Sequence, residues 1–124
     1  MQNQLKSRTK KFSIDVIDLA EKLPNTISSR IVINQLVKSG TSVGANYRAV
    51  CRSRSNNEFI SKMQVVLEES EESCYWLEIV EEKGWVDVRA LLKEANELTA
   101  IFVSSLKTIK NKSNNIKNNN IRKT

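Results

Sequence analysis

A cluster of carboxylates in the middle of the chain is the first group of residues whose type and spacing could do chemistry. Seven glutamates between residues 68 and 82 of this 124-residue chain could in principle hold a divalent cation. At that spacing, however, they point around one helix, whereas an oxygen-ligand site needs carboxylates converging from separate elements. We therefore predict a solvated face, with no metal site and no cofactor. The glutamates are Glu68, Glu69, Glu71, Glu72, Glu78, Glu81 and Glu82.

Catalytic residues are not evident elsewhere in the chain. It contains no histidine, which removes the commonest general base and the usual ligand of zinc and of di-iron bundles. No glycine-rich phosphate loop or nucleophile elbow is visible, and Cys51 and Cys74 fall inside helical patterns as small core residues. We predict that the protein is not an enzyme. With no signal peptide or long apolar run in the sequence, we expect it in the cytoplasm with reduced thiols.

Cations at the two ends of the chain suggest a different chemistry, the binding of phosphates. The net charge of +6 is segmental, because lysine and arginine outnumber acidic residues by ten to four over residues 1–60 and by six to one over residues 95–124. Such basic segments favour an anionic partner such as RNA. No helix-turn-helix, zinc finger or aromatic strand that could read bases is present. The candidate nucleic-acid-binding residues are Arg8, Lys10, Lys11, Arg52, Arg54, Lys107, Lys110 and Lys112.

The elements that must position these side chains are helices, since three glycines and one proline are too few for a turn-rich β fold. Apolar residues recur every three or four positions, which predicts helices from about 10 to 23, 26 to 54, 58 to 83 and 88 to 109. The short links predict an antiparallel up-down-up-down four-helix bundle, with residues 10–109 as a single all-α domain. We expect residues 1–9 to be a flexible basic N-terminus and residues 110–124 a disordered Lys/Asn-rich basic tail.

The second helix contains two glycines four residues apart, Gly40 and Gly44, which would let another backbone approach closely. A break near Ser39-Gly40 is the alternative. A turn centred near residue 56 would place both glycines beside the third helix, with Arg48 about a turn from a glutamate there. We therefore predict an interhelical polar seam of Asn46, Arg48, Glu68 and Glu72. The alternative is that Asn46 and Arg48 form an exposed patch that binds a ligand or nucleic acid.

Apolar residues also extend beyond one stripe per helix. Residues 31–33 are Ile-Val-Ile and residues 65–67 are Val-Val-Leu, so some of these side chains must point away from a monomer's core. We therefore expect a homo-oligomer.

Three stretches together resemble a known family. They are QLVKSGTSVGANYRAVCRSRS (residues 35–55), EFISKM (58–63) and ESEESCYWLE (69–78). The chain resembles the four-helix-bundle family of 23S ribosomal RNA intervening-sequence proteins over roughly residues 10–108. The resemblance implies an up-down bundle that forms a ring-like homopentamer in the bacterial cytoplasm. Many members carry an acidic residue where this chain has Ala49 and Val50, so no role of that carboxylate is carried over.

Two functional hypotheses follow, with no membrane partner in either. The first is a non-enzymatic, sequence-nonspecific RNA-associated or scaffold protein. The second is an accessory subunit of a reverse transcriptase or another nucleic-acid enzyme, because the chain is distantly similar to the accessory variability protein of diversity-generating retroelements, a basic pentameric bundle.

Overall fold

The computed structural model describes residues 1–122 and contains, over that range, four α-helices and no β-strand. The helices are α1 (Gln2–Ala20), α2 (Ile27–Val50), α3 (Asn56–Lys83) and α4 (Arg89–Arg122). Each helix packs along the helix before it, and α1 also touches α4. The prediction of an antiparallel up-down-up-down four-helix bundle is therefore confirmed.

Local sequence signals set most of the helix ends. The hydroxyls of Thr26 and Ser55 each accept a hydrogen bond from the backbone N–H three residues later, at 3.2 and 3.1 Å, and so cap α2 and α3. Gly84 ends α3 in the left-handed conformation with φ 64°, in which any residue with a side chain would be strained. The carboxylate of Asp87 accepts a hydrogen bond from the backbone N–H of Arg89 at 3.0 Å, at the start of α4.

The two ends of the chain differ from the sequence prediction. Residues 2–9 belong to α1, where Leu5 and Thr9 are buried, so the structure packs this segment against the bundle. Residues 110–122 continue α4, and residues 123–124 lie outside the described part of the chain. No glycine or proline interrupts this segment, and extending an existing helix costs far less than nucleating one. At about 1.5 Å per residue, α4 is about 51 Å long, compared with about 42 Å for α3.

The glycines of α2 face α1, and α2 is unbroken at Gly40. A Cβ atom at Gly40 would lie 2.9 Å from both γ carbons of Val16, and one at Gly44 would lie 3.2 Å from the backbone oxygen of Thr9. The hydroxyl of Ser13 donates to the Gly40 carbonyl at 3.2 Å across the same contact. The expectation that these glycines permit a close helix approach is thus met, but on α1 and not on α3.

The register between α2 and α3 agrees with a turn centred at residue 56. The Ser73 hydroxyl donates to the Ser39 hydroxyl at 3.1 Å, and these residues lie equally far from residue 56. Both side chains are buried, so they form a small polar contact within the α2–α3 interface. The axial register of α2 against α3 was therefore predicted correctly. The face of α2 that packs on α3 was not, because that face carries Ser39 and not Gly40.

The core runs along the centre of the bundle. Tyr47 of α2 and Phe102 of α4 pack with ring centroids 6.1 Å apart, which ties the second helix to the fourth. Burial raises the pKa of the Tyr47 phenol, with a further contribution from neighbouring Cys51, so this ring stays neutral. Every helix contributes side chains that are at most 2% exposed; the largest are Phe12, Leu36, Met63, Leu77, Leu98 and Phe102.

Candidate nucleic-acid interface

The bundle topology brings the basic segments of the chain to one end. The first turns of α1, the last turns of α2, the α2–α3 corner and the second half of α4 all lie there. Leu5 and Arg8 line one cavity together with Ile101, which places the start of α1 beside the middle of α4. We call this end the basic end and define it as residues 1–10, 48–56 and 103–112.

A cleft between α1 and α2 opens at the basic end. It consists of two adjoining cavities of about 370 and 250 Å³, and Lys6 and Arg48 line both of them. Arg52 completes the lining of the first cavity, and Lys10 contributes to the second. We call these four residues the cleft cations. The floor of the second cavity is formed by small or uncharged residues: Thr9, Ser13, Gly44 and Ala45.

No carboxylate neutralises the cleft cations. The cavity linings contain no acidic residue, and the ion pairs found among residues 1–122 do not involve any of the four. All four side chains are exposed. The cause lies in the sequence, because no aspartate or glutamate occurs between Glu21 and Glu58, a range that includes all of α2. The cleft is therefore a concave surface of uncompensated positive charge.

Two of the predicted phosphate-binding residues are engaged elsewhere. Arg8 points towards α4, where its Nε donates to Glu94 at 3.1 Å and its guanidinium lies 3.3 Å from a carboxylate oxygen of Glu97. The hydrogen bond to Glu94, more than any other contact, raises the pKa of Arg8. Lys11 pairs with Asp15 at 2.8 Å. The structure thus does not bring Arg8 and Lys11 into the cleft.

The other predicted cations divide into two groups. Lys10 and Arg52 lie in the cleft, as described above. Arg54 is exposed at the α2–α3 corner, where its backbone N–H donates to Glu58 at 3.2 Å. The remaining lysines are exposed along α4 at the basic end: Lys107, Lys110 and Lys112.

The predicted interhelical seam of Asn46, Arg48, Glu68 and Glu72 is wrong. Asn46 donates to the Ser42 carbonyl within α2 at 2.8 Å, and Glu72 accepts from the Trp76 indole within α3 at 3.2 Å. Glu68 is exposed, with no ion pair to Arg48. The reason is rotational, because residues 40, 44 and 48 share one face of a helix and that face packs on α1. Arg48 lies on the same side of α2 as Gly40 and Gly44, and its side chain therefore lines the cleft between α1 and α2.

The acidic cluster forms the solvent side of α3. Six of its seven glutamates are exposed, and Glu69 is partly buried. Partial burial, followed by the charge of Glu72, raises the pKa of Glu69. Over the described residues, no group of three or more cysteine or carboxylate side chains is arranged to hold a metal ion. The bundle therefore has an acidic α3 face beside an acid-free α2.

Comparison with known proteins relates this geometry to a family. The family model described as 23S rRNA-intervening sequence protein matches residues 1–118. The fold is similar to the crystal structure of a protein with unknown function from the S23 ribosomal protein family of Bacteroides thetaiotaomicron VPI-5482. That similarity has a TM-score of 0.77 at 27% sequence identity and covers 86% of this chain and 97% of the other. No curated protein matches the chain. None of the helices, as far as the chain is described, is long and apolar enough to span a bilayer.

Proposed function

The chain belongs to the 23S rRNA-intervening sequence protein family, and from this premise we propose that it is a non-enzymatic RNA-associated protein that binds the sugar-phosphate backbone. The observation that carries the proposal is the α1–α2 cleft, in which four cations face solvent without a carboxylate partner. Lysine and arginine in such a position gain most from a phosphate, because binding releases the counterions condensed on the nucleic acid. This role would place the protein in the cytoplasm.

Binding would be independent of base sequence. The cleft contains no aromatic side chain on which a base could stack. The exposed aromatic residue Tyr75 lies on α3 against Trp76, with ring centroids 5.0 Å apart, on the acidic face that would repel RNA. Backbone contacts fix position but carry no sequence information. The cleft therefore favours an RNA scaffold role over base-specific recognition.

Salt dependence tests this function. Neutralising four phosphate charges predicts a slope of about −2.8 to −3.6 in log affinity against log salt. Affinity for a structured RNA should then fall roughly 50- to 150-fold between 50 and 200 mM salt. Filter binding on the purified protein measures both values. A protein that fails to retain structured RNA at 50 mM salt would contradict the proposal.

We also propose that the functional unit is a homo-oligomer, a pentamer by family resemblance. Large apolar side chains remain exposed on the bundle, with Ile27 at 74%, Ile31 at 57% and Tyr75 at 56%. Isolated exposed apolar residues are common, but Ile27 and Ile31 lie one turn apart on α2 and form a small apolar surface that a second copy could cover. Light scattering checks this expectation, and a mass of 14.1 kDa for the particle would contradict it.

A second candidate function depends on the negatively charged face of α3. The exposed glutamates of α3 form a face suited to a basic protein, such as a reverse transcriptase for which this chain would be an accessory subunit. Under this alternative, substitutions on α3 would abolish capture of such an enzyme, whereas neutralising the cleft cations would not. The RNA proposal predicts that neutralising the cleft cations abolishes RNA binding and that the α3 substitutions do not.

A further inference from the structure

The arrangement of the cleft cations goes beyond a general positive charge. Lys6 and Lys10 are four residues apart on α1, and Arg48, in the last turn of α2, precedes by four residues Arg52, which lies just beyond the end of that helix. Like charges four residues apart on a helix, as Lys6 and Lys10 are, repel each other and disfavour the helix. Both pairs line the cleft, in which Lys6 and Arg48 border both cavities. An anion held between the two helices would remove this repulsion.

Only the cations can hold that anion, because the hydroxyls of the floor are already used. The Thr9 hydroxyl donates to the Leu5 carbonyl at 2.7 Å. The Ser13 hydroxyl lies 3.1 Å from the Thr9 carbonyl and 3.2 Å from the Gly40 carbonyl. Gly44 is buried against α1, where a Cβ atom would lie 3.2 Å from the Thr9 carbonyl oxygen, and it offers no side-chain donor. The cleft thus offers lysine and arginine donors from two sides above an inert floor.

The number of donors indicates which kind of phosphate fits. An internal phosphodiester carries one charge, has two free oxygens and continues into a sugar on both sides. A terminal phosphate monoester carries about −1.5 to −2 charges near pH 7 and has three free oxygens. Arginine has five N–H donors and lysine has three. Lys6 and Arg48, which line both cavities, can therefore use the additional charge and oxygen of the monoester, while Lys10 and Arg52 can contact the phosphates next to it. The cleft therefore matches the end of a strand better than its middle.

We propose that the α1–α2 cleft binds the terminal phosphate monoester of an RNA strand. This inference rests on the proposed RNA-associated function and assigns Lys6 and Arg48, the two cations shared by both cavities, to the terminal group. Lys10 and Arg52 in the cleft, and Lys107, Lys110 and Lys112 on α4, remain available for internal phosphates.

The test compares one RNA oligonucleotide in three forms: with a 5′-monophosphate, with a 3′-monophosphate and with hydroxyls at both ends. At 50 mM salt and pH 7.5, at least one phosphorylated form should bind about tenfold more tightly than the hydroxyl form, the value of one additional charge-assisted hydrogen bond. The preference should shrink at pH 5.5, because the second proton of a phosphate monoester binds with a pKa near 6.

Variants assign the preference to the cleft. The double substitution Lys6→Gln/Arg48→Gln should bring the affinity ratio of the phosphorylated and hydroxyl forms close to one, whereas Lys22→Gln/Lys93→Gln at the other end should leave the ratio unchanged. Equal affinity of the wild-type protein for all three forms would overturn the inference and leave the RNA function intact. Calorimetry with inorganic phosphate alone tests whether the ligand of the cleft is a free anion. If inorganic phosphate binds as tightly as the phosphorylated RNA, the inference would also be overturned. Failure to bind any form would overturn both proposals.

Discussion

Replacing Gly40 with leucine should lower the free energy of unfolding by about 3 kcal/mol, at the upper end of the range for overpacked cores. A Cβ atom at this position already lies 2.9 Å from the γ carbons of Val16, and the larger side chain adds three more carbons. Val16 is fully buried and β-branched, so it cannot turn away. The hydrogen bond from Ser13 to the Gly40 carbonyl would be strained as well. Chemical denaturation measures the loss.

A matched substitution on the same helix isolates the steric cause. Ala45 is exposed on α2, so Ala45→Leu should change stability by less than about 0.5 kcal/mol. Adding Val16→Ala to Gly40→Leu should cost less than the sum of the two single changes, because the shorter side chain makes room for the leucine. A Gly40→Leu protein as stable as the wild type would contradict the close approach of α1 and α2 that forms the cleft.

Neutralising three of the cleft cations should weaken RNA binding by at least about 100-fold at 50 mM salt. The change is Lys6→Gln, Arg48→Gln and Arg52→Gln in one protein. Each removed contact to a phosphate is worth about 1 kcal/mol or more, and three such losses multiply. Because all three side chains are exposed and make no ion pair among residues 1–122, thermal stability should stay close to that of the wild type.

Net charge alone could produce part of such an effect, and a second triple variant controls for it. Lys22, Lys83 and Lys93 are exposed at the opposite end of the bundle, so their replacement by glutamine changes the net charge by the same amount. We expect this control to lose less than about fivefold, since charges beyond a Debye length, about 14 Å at 50 mM salt, are largely screened. Equal losses in the two triple variants would mean that RNA responds to overall charge and not to the cleft.

Helix number and order could be predicted from sequence because apolar periodicity, caps and Gly84 are local signals. The α2–α3 register was also predictable, since a turn at residue 56 fixes which heights face each other, as the Ser39–Ser73 contact confirms. The rotation of α2 about its own axis could not be predicted from the sequence. Both sides of this helix carry small residues, and adjacent positions such as Ser39 and Gly40 point about 100° apart. Only packing decides that Ser39 faces α3 and Gly40 faces α1.

The cleft was missed for the same reason. Lys10 and Arg52 were predicted as phosphate-binding residues. Arg48 was assigned to the seam because the glycines before it were placed on α3, and an exposed patch that binds a ligand or nucleic acid was only the alternative. The sequence does carry a usable signal, the absence of any acidic residue between Glu21 and Glu58. Arg8 could not be assigned in advance, because its pairing with Glu94 depends on which side of α1 faces α4. Lys11 differs, since its partner Asp15 lies four residues later on the same helix and is visible in the sequence.

The salt dependence of RNA binding by the cleft triple variant tests most directly whether the α1–α2 cleft contacts RNA phosphates. Each phosphate contact contributes about 0.7 to 0.9 to the slope of log affinity against log salt. Loss of three contacts should therefore make the slope shallower than that of the wild type by about 2 to 3, while the control triple variant keeps the wild-type slope. A cleft variant whose slope equals that of the wild type would show that RNA is bound elsewhere on the protein.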